Sequence, residues 1–144
     1  MSTRCRIGIE NKKGEVASIY CHHDGYLDVV GKVLVNYYKT QSKIMELMRL
    51  GDISSIGTEP ISNPRAWDKP DFNNWREQHP ENMCDTYASR GEDAPARIDK
   101  DVETYIKKSD DSWAEYIYLF KNGKWYYVEP GETEDDLKEV EAKL

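Results

Sequence analysis

The sequence predicts an α+β fold, one domain over residues 1–144 whose antiparallel sheet comes from two β-hairpins and is flanked by a helical hairpin and a C-terminal helix. Three observations predict it. Two stretches alternate apolar and polar residues around short turns, apolar residues recur at helical spacing between residues 27 and 48, and a capping signal precedes a last apolar stripe. The 144 residues suffice for one real core and are too few for two independent ones.

Residues 4–10, RCRIGIE, and 16–22, VASIYCH, alternate around the five-residue loop NKKGE and read as the first hairpin. Setting Cys5 opposite Cys21 places Ile7 opposite Ile19 and Ile9 opposite Ala17 on one apolar face. Arg4, Arg6 and Gly8 then share the other face with His22, Tyr20 and Ser18. From Leu27 the positions Leu27, Val30, Leu34 and Tyr37 or Tyr38 predict a helix starting within a residue or two of Tyr26, with Asp24 or Tyr26 near its cap. A second helix has Thr40 as its cap, Ile44, Leu47 and Met48 on one face, and Gly51 as its stop.

Residues 57–100 hold five of the six prolines together with Trp67, Trp75 and Tyr87, a composition that predicts a long ordered loop region. In EYIYLFKNGKWYYVE two aromatic-rich runs flank Asn122-Gly123, a strong hairpin signal. Thr133 and Asp136 have capping-box spacing before Leu137, Val140 and Leu144, which predicts a helix over 131–144 that packs on the domain or serves as a dimer element, leaving a homo-oligomer open.

Composition narrows the function classes. No run approaches the roughly 20 apolar residues of a membrane span, and MSTRCRIGIE lacks the apolar core of a signal peptide, so a cytoplasmic protein with no membrane partner is expected. Cys5, Cys21 and Cys84 form no C-x-x-C pair and are expected to be reduced, buried thiols, with Cys84 the most reactive. The net charge of −7 is uneven: residues 57–144 carry twelve Lys and Arg against twenty-one Asp and Glu. No basic cluster suits the phosphates of a duplex, so direct binding to double-stranded nucleic acid is disfavoured. No cofactor and no metal is expected, since three histidines with no supporting ligand spacing make no metal site.

MSTR at the start, IYCHHDGY followed by Gly31, LGDISSIG at 50–57, YASRGED at 87–93 and EYIYLFKNGKWYY at 115–127 occur in a familiar order and spacing. In these the chain resembles a widespread family of small, uncharacterised proteins carried by bacteriophages, prophages and plasmids. The resemblance runs to about Tyr127, with the middle loop divergent. It implies an accessory role on mobile elements, commonly action against a host defence. The family pattern more often has an aromatic residue at His23 and a proline at Leu27. That departure argues against essential chemistry at His23, and proline suits the first turn of a helix.

The candidate ligand-binding residues are His22, Asp24, Tyr26, Tyr87, Arg90, Glu92 and Arg4. His22 and Asp24 are two apart and share a strand face, and Arg4 lies opposite His22 across the hairpin. Should SRGED meet this junction, Arg90 and Glu92 join them beside Tyr26 and Tyr87. Guanidinium groups and aromatic faces together suit a phosphate-bearing base. In the plainer structural reading Asp24 caps a helix, His22 bonds to backbone, and Arg90 pairs with Glu92 or Asp93. Three functions follow. The leading one is capture and sequestration of a nucleotide-derived host signal without turnover. The alternatives are an inhibitor that sets its acidic surface into a host nuclease or CRISPR effector, and a small phosphoester hydrolase built on His22 and Asp24.

Overall fold

The computed structural model describes residues 2–144. Strands β1 (Cys5–Glu10) and β2 (Val16–Cys21) form the first hairpin, in the register Cys5 to Cys21, Ile7 to Ile19 and Ile9 to Ala17. Its turn closes because Asn11 Oδ1 accepts the amides of Lys13 and Glu15 while Gly14 takes a positive φ of 83°. After β2 the chain bends through Gly25, whose amide donates to the Thr3 carbonyl at 2.9 Å. A side chain there would meet Cys5 Cβ at 2.8 Å, so only glycine lets the turn pass this close to β1.

A π-helical turn, Leu27–Gly31, leads into α1 (Lys32–Tyr37), and α2 (Gln41–Arg49) follows with Thr40 Oγ1 accepting the Lys43 amide. These helices bury Val30, Leu34, Ile44, Leu47 and Met48 against Cys5, Ile7, Ile19 and Cys21 on one face of the sheet. Then come β3 (Ile53–Ser55), the single turn α3 (Trp75–Gln78), β4 (Asp85–Thr86) and β5 (Arg97–Asp99). Helix α4 (Val102–Asp111), capped by Asp101, crosses the opposite face and packs Tyr105 and Ile106 against Val16, Ile117 and Leu119. The second hairpin, β6 (Tyr116–Lys121) and β7 (Lys124–Val128), turns at Asn122-Gly123, both with positive φ. A short strand β8 (Lys138–Glu139) ends the order β4-β3-β2-β1-β6-β7-β8, and β5 pairs with the free half of β2.

Two expectations are corrected and a third gains detail. The sheet is mixed, because β1 pairs parallel with β6 and β2 parallel with β3. Parallel neighbours need a long crossover, which the chain between Cys21 and Tyr116 supplies and which no local pattern encodes. Residues 57–100 are mainly irregular, and the short α3, β4 and β5 within them stitch the region into the sheet. No α-helix forms over 131–144, which holds only the 3₁₀ turns Glu134–Asp136 and Glu141–Lys143. The Thr133–Asp136 capping box is present, but it closes only one 3₁₀ turn, Glu134–Asp136, before Leu137 becomes extended with ψ 126°. Glu139 and Lys138 then pair with Tyr126 and Tyr127 of β7, and the Val140 amide donates to the Trp125 carbonyl at 3.0 Å. Leu137 packs in the α4 core and the fully buried Val140 in the α1–α2 core, opposite faces that an extended chain reaches and one helical stripe cannot.

Candidate functional site

Helix α4 covers only part of its face of the sheet. Beyond it, strand registry sets one lateral row of side-chain positions across four neighbouring segments. Arg6 on β1 lies opposite Tyr20 on β2. The Tyr20 amide donates to Asp52 Oδ1 at 2.8 Å, and the Tyr87 amide donates to the Asp52 carbonyl at 3.3 Å. Asp52 thus fills the gap where the edge of β2 passes from β5 to β3. Two residue pairs further along the hairpin, on the same face, come Arg4 and His22, with the His22 and His23 amides donating to the carbonyls of Ile53 and Ser54.

The electrostatics of this face are set by burial. Arg6 is 8% exposed, and its Nε donates to Ser18 Oγ at 3.0 Å and its Nη2 to the Ser18 carbonyl at 3.3 Å. Nearby, Arg97 and Lys108 both take Asp99, whereas no carboxylate forms an ion pair with Arg6 among the described residues. Burial, and then the neighbouring Arg97, lower the Arg6 pKa against the opposing pull of Tyr105, Asp52 and Asp99. Burial raises that of Asp52, against the opposing pull of the Tyr20 amide, Arg6 and Arg97. The Tyr20 hydroxyl stands 2.5 Å from His22 Nδ1, and burial followed by His23 and Arg4 lowers the His22 pKa.

The seven residues singled out from sequence divide between two places. Arg4 and His22 stand on this face. Tyr87, Arg90 and Glu92 lie at its β4 side, where Trp67 and Tyr87 stack at 5.6 Å and the Arg90 guanidinium lies 4.2 Å from the Trp67 ring centre while pairing with Glu92. Asp24 and Tyr26 leave it. Asp24 takes a positive φ of 60° and makes no side-chain hydrogen bond among the described residues, so it neither caps the helix nor orients His22. Tyr26 turns towards β6 and lines a concavity of about 260 Å³ with Leu27, Asp28, Lys32 and Tyr116. Among the described residues His22 Nδ1 is paired with the Tyr20 hydroxyl and no hydrogen bond joins His22 to Asp24. A second concavity, about 300 Å³ between α1 and β7, is lined by Lys39, Phe120, Trp125 and Glu139 and touches none of the seven.

Sequence reasoning missed Arg6, Tyr20 and Asp52 as site residues. The hairpin register had already put the first two on the polar face beside Arg4 and His22, and that alternation was the usable signal. Asp52 carried none, because its role depends on a strand junction made by distant segments. The fold and this face define a mixed α/β protein with a polar row on one side of its sheet, in which Arg6 is buried, Tyr20, His22, Asp52 and Tyr87 are partly buried and Arg4 is exposed. Comparison with protein-family models, curated proteins and solved structures gave no match.

Proposed function

We propose that this protein captures a small nucleotide-derived anion on this polar face, its phosphate taken by Arg6 with Arg4 and Arg97 near it and its base set against Tyr20 and Tyr87. Arg6 carries the reading. A buried guanidinium is costly unless its donors are used, and this one directs two of its five to Ser18, with Asp52 and Asp99 favouring its charge but no carboxylate in an ion pair with it among the described residues. A phosphate would supply a directly bonded negative charge and matches the planar fork of donors. The resemblance to proteins of mobile elements suggests the biological role, holding a host defence signal out of circulation, for which binding without turnover is enough.

Calorimetric titration with a panel of 5′-nucleotides, followed by recovery and mass analysis of the ligand, tests this. Wild type should bind at least one and return it intact. Arg6→Met should bind it about 10- to 100-fold more weakly, since a charge-assisted hydrogen bond is worth about 1.5–3 kcal/mol, while the melting temperature stays level or rises as an unpaired buried charge is removed. Equal affinity in Arg6→Met removes the assignment, and an altered ligand makes the protein an enzyme.

A further inference from the structure

A concavity of about 260 Å³ lies between the π-helical turn and β6. Tyr26, Leu27, Tyr116 and Leu144 give it apolar walls, and Asp28, Lys32 and Lys143 line it with charge. Two of the walls are held from behind. The Tyr116 ring stacks on the buried Tyr118 ring, with centroids 6.2 Å apart and planes 17° from parallel. The Tyr118 hydroxyl donates to the Gly25 carbonyl at 2.7 Å, which ties β6 to the residue before Tyr26.

The turn after Tyr26 is wound wider than an α-helix. The Gly31 amide donates to the Tyr26 carbonyl, five residues back, at 3.2 Å. Such turns are rare and frequently sit at functional sites. This one buries Val30 and Gly31 and leaves Leu27 and Asp28 on the concavity. Tyr26 is 45% and Leu144 50% exposed, so two large apolar side chains meet water at an indentation instead of in the core. Asp28, Lys32 and Lys143 form no ion pair among the described residues. Two ammonium groups against one carboxylate leave the site with a net positive charge. Its volume falls just under the range of pockets for drug-sized ligands, which suits a small one.

We propose that this concavity is a second ligand site, for a small, flat aromatic body that carries one carboxylate. The rings of Tyr26 and Tyr116 take the flat body, as aromatic faces do. The ammonium groups of Lys32 and Lys143 take the carboxylate, and Asp28 disfavours a second negative charge on the ligand. Tyr26 thus keeps the ligand-binding role expected of it, at a different place and without Tyr87 or Arg90. The site shares no residue with the polar face that carries Arg6, so either proposal can fail alone.

The test uses 2-naphthoate and its uncharged analogue 2-naphthamide, titrated into ¹⁵N-labelled protein and followed by ¹H–¹⁵N amide shifts. Wild type should bind 2-naphthoate about 3- to 10-fold more tightly than 2-naphthamide, the advantage that two exposed ammonium groups give a carboxylate. The shifts should centre on residues 26–32, 116 and 143. Tyr26→Ala should weaken both probes by about 3- to 10-fold, the worth of one aromatic contact. The double variant Lys32→Gln with Lys143→Gln should bring 2-naphthoate down to the affinity of 2-naphthamide and leave 2-naphthamide unchanged. All three substituted residues are exposed, and spectra unchanged away from the site check that the variants fold. Any of four results overturns the inference: no saturable binding of 2-naphthoate to wild type, shifts centred elsewhere, equal affinity for the two probes, or affinities that the variants leave intact.

Discussion

At the scale of single residues, the polar face is built from groups whose ionisation the fold disfavours. Asp52 is half-buried with a raised pKa, so the folded state holds its proton more tightly than the unfolded chain does. Its contribution to stability is therefore present at low pH and lost as pH rises through the raised folded value, leaving a charged carboxylate that costs stability at neutral pH. Asp52→Asn keeps an oxygen for the Tyr20 amide and removes that charge. Its unfolding free energy in urea should equal or exceed that of wild type at about pH 7, with the difference closing below about pH 4, near the ordinary carboxylate value. A loss of stability at neutral pH would mean that Arg6 and Arg97 already use the Asp52 charge in full.

The elements show how tertiary opportunity overrides local preference. The 131–144 segment has a helix start signal, yet the unpaired edge of β7 offers ladder hydrogen bonds and a buried seat for Val140, and the segment takes these instead. Deleting residues 138–144 should lower stability by about 1.5–3 kcal/mol, the value of burying one aliphatic side chain, Val140. Because this segment is a strand of its own sheet, the solution mass of the protein should not change. Sedimentation and urea unfolding on the truncated chain check both outcomes, and a change in mass would restore a dimer role for this segment. At the first hairpin, by contrast, local pattern and final structure agree, since the turn chemistry and the apolar alternation specify the same register.

At the scale of the whole molecule, the sheet separates two cores: α1 and α2 cover one and α4 the other. Tyrosine hydroxyls join them to the backbone, Tyr105 donating to the Tyr118 carbonyl at 2.6 Å and Tyr118 to the Gly25 carbonyl at 2.7 Å. All three thiols lie in the α1–α2 core and are buried, and burial pushes the Cys84 pKa up to about 11 and that of Cys5 well above its ordinary value. Thiol labelling thus reports opening of that core. If the cores unfold together, Ile106→Ala in the other core should cost about 2–5 kcal/mol and speed labelling of all three cysteines, whereas unchanged labelling would show that the α4 side opens alone.

By itself the sequence determined the α+β class, both hairpins, the register of the first, the start of the helical pair and the polar face carrying Arg4, Arg6, Tyr20 and His22, because each depends on periodicity and turn chemistry within a few residues. Only the tertiary structure decided that β1 runs parallel to β6, that the C-terminal segment is a strand, and that Asp24 and Tyr26 part from Tyr87 and Arg90. It likewise decided that His79 meets Asp85, and that Asp52 closes the gap between β5 and β3. Each of these is a contact between distant segments, chosen by which edge was left unpaired and which face left uncovered. That competition is settled across the whole sheet, and local sequence does not record its outcome.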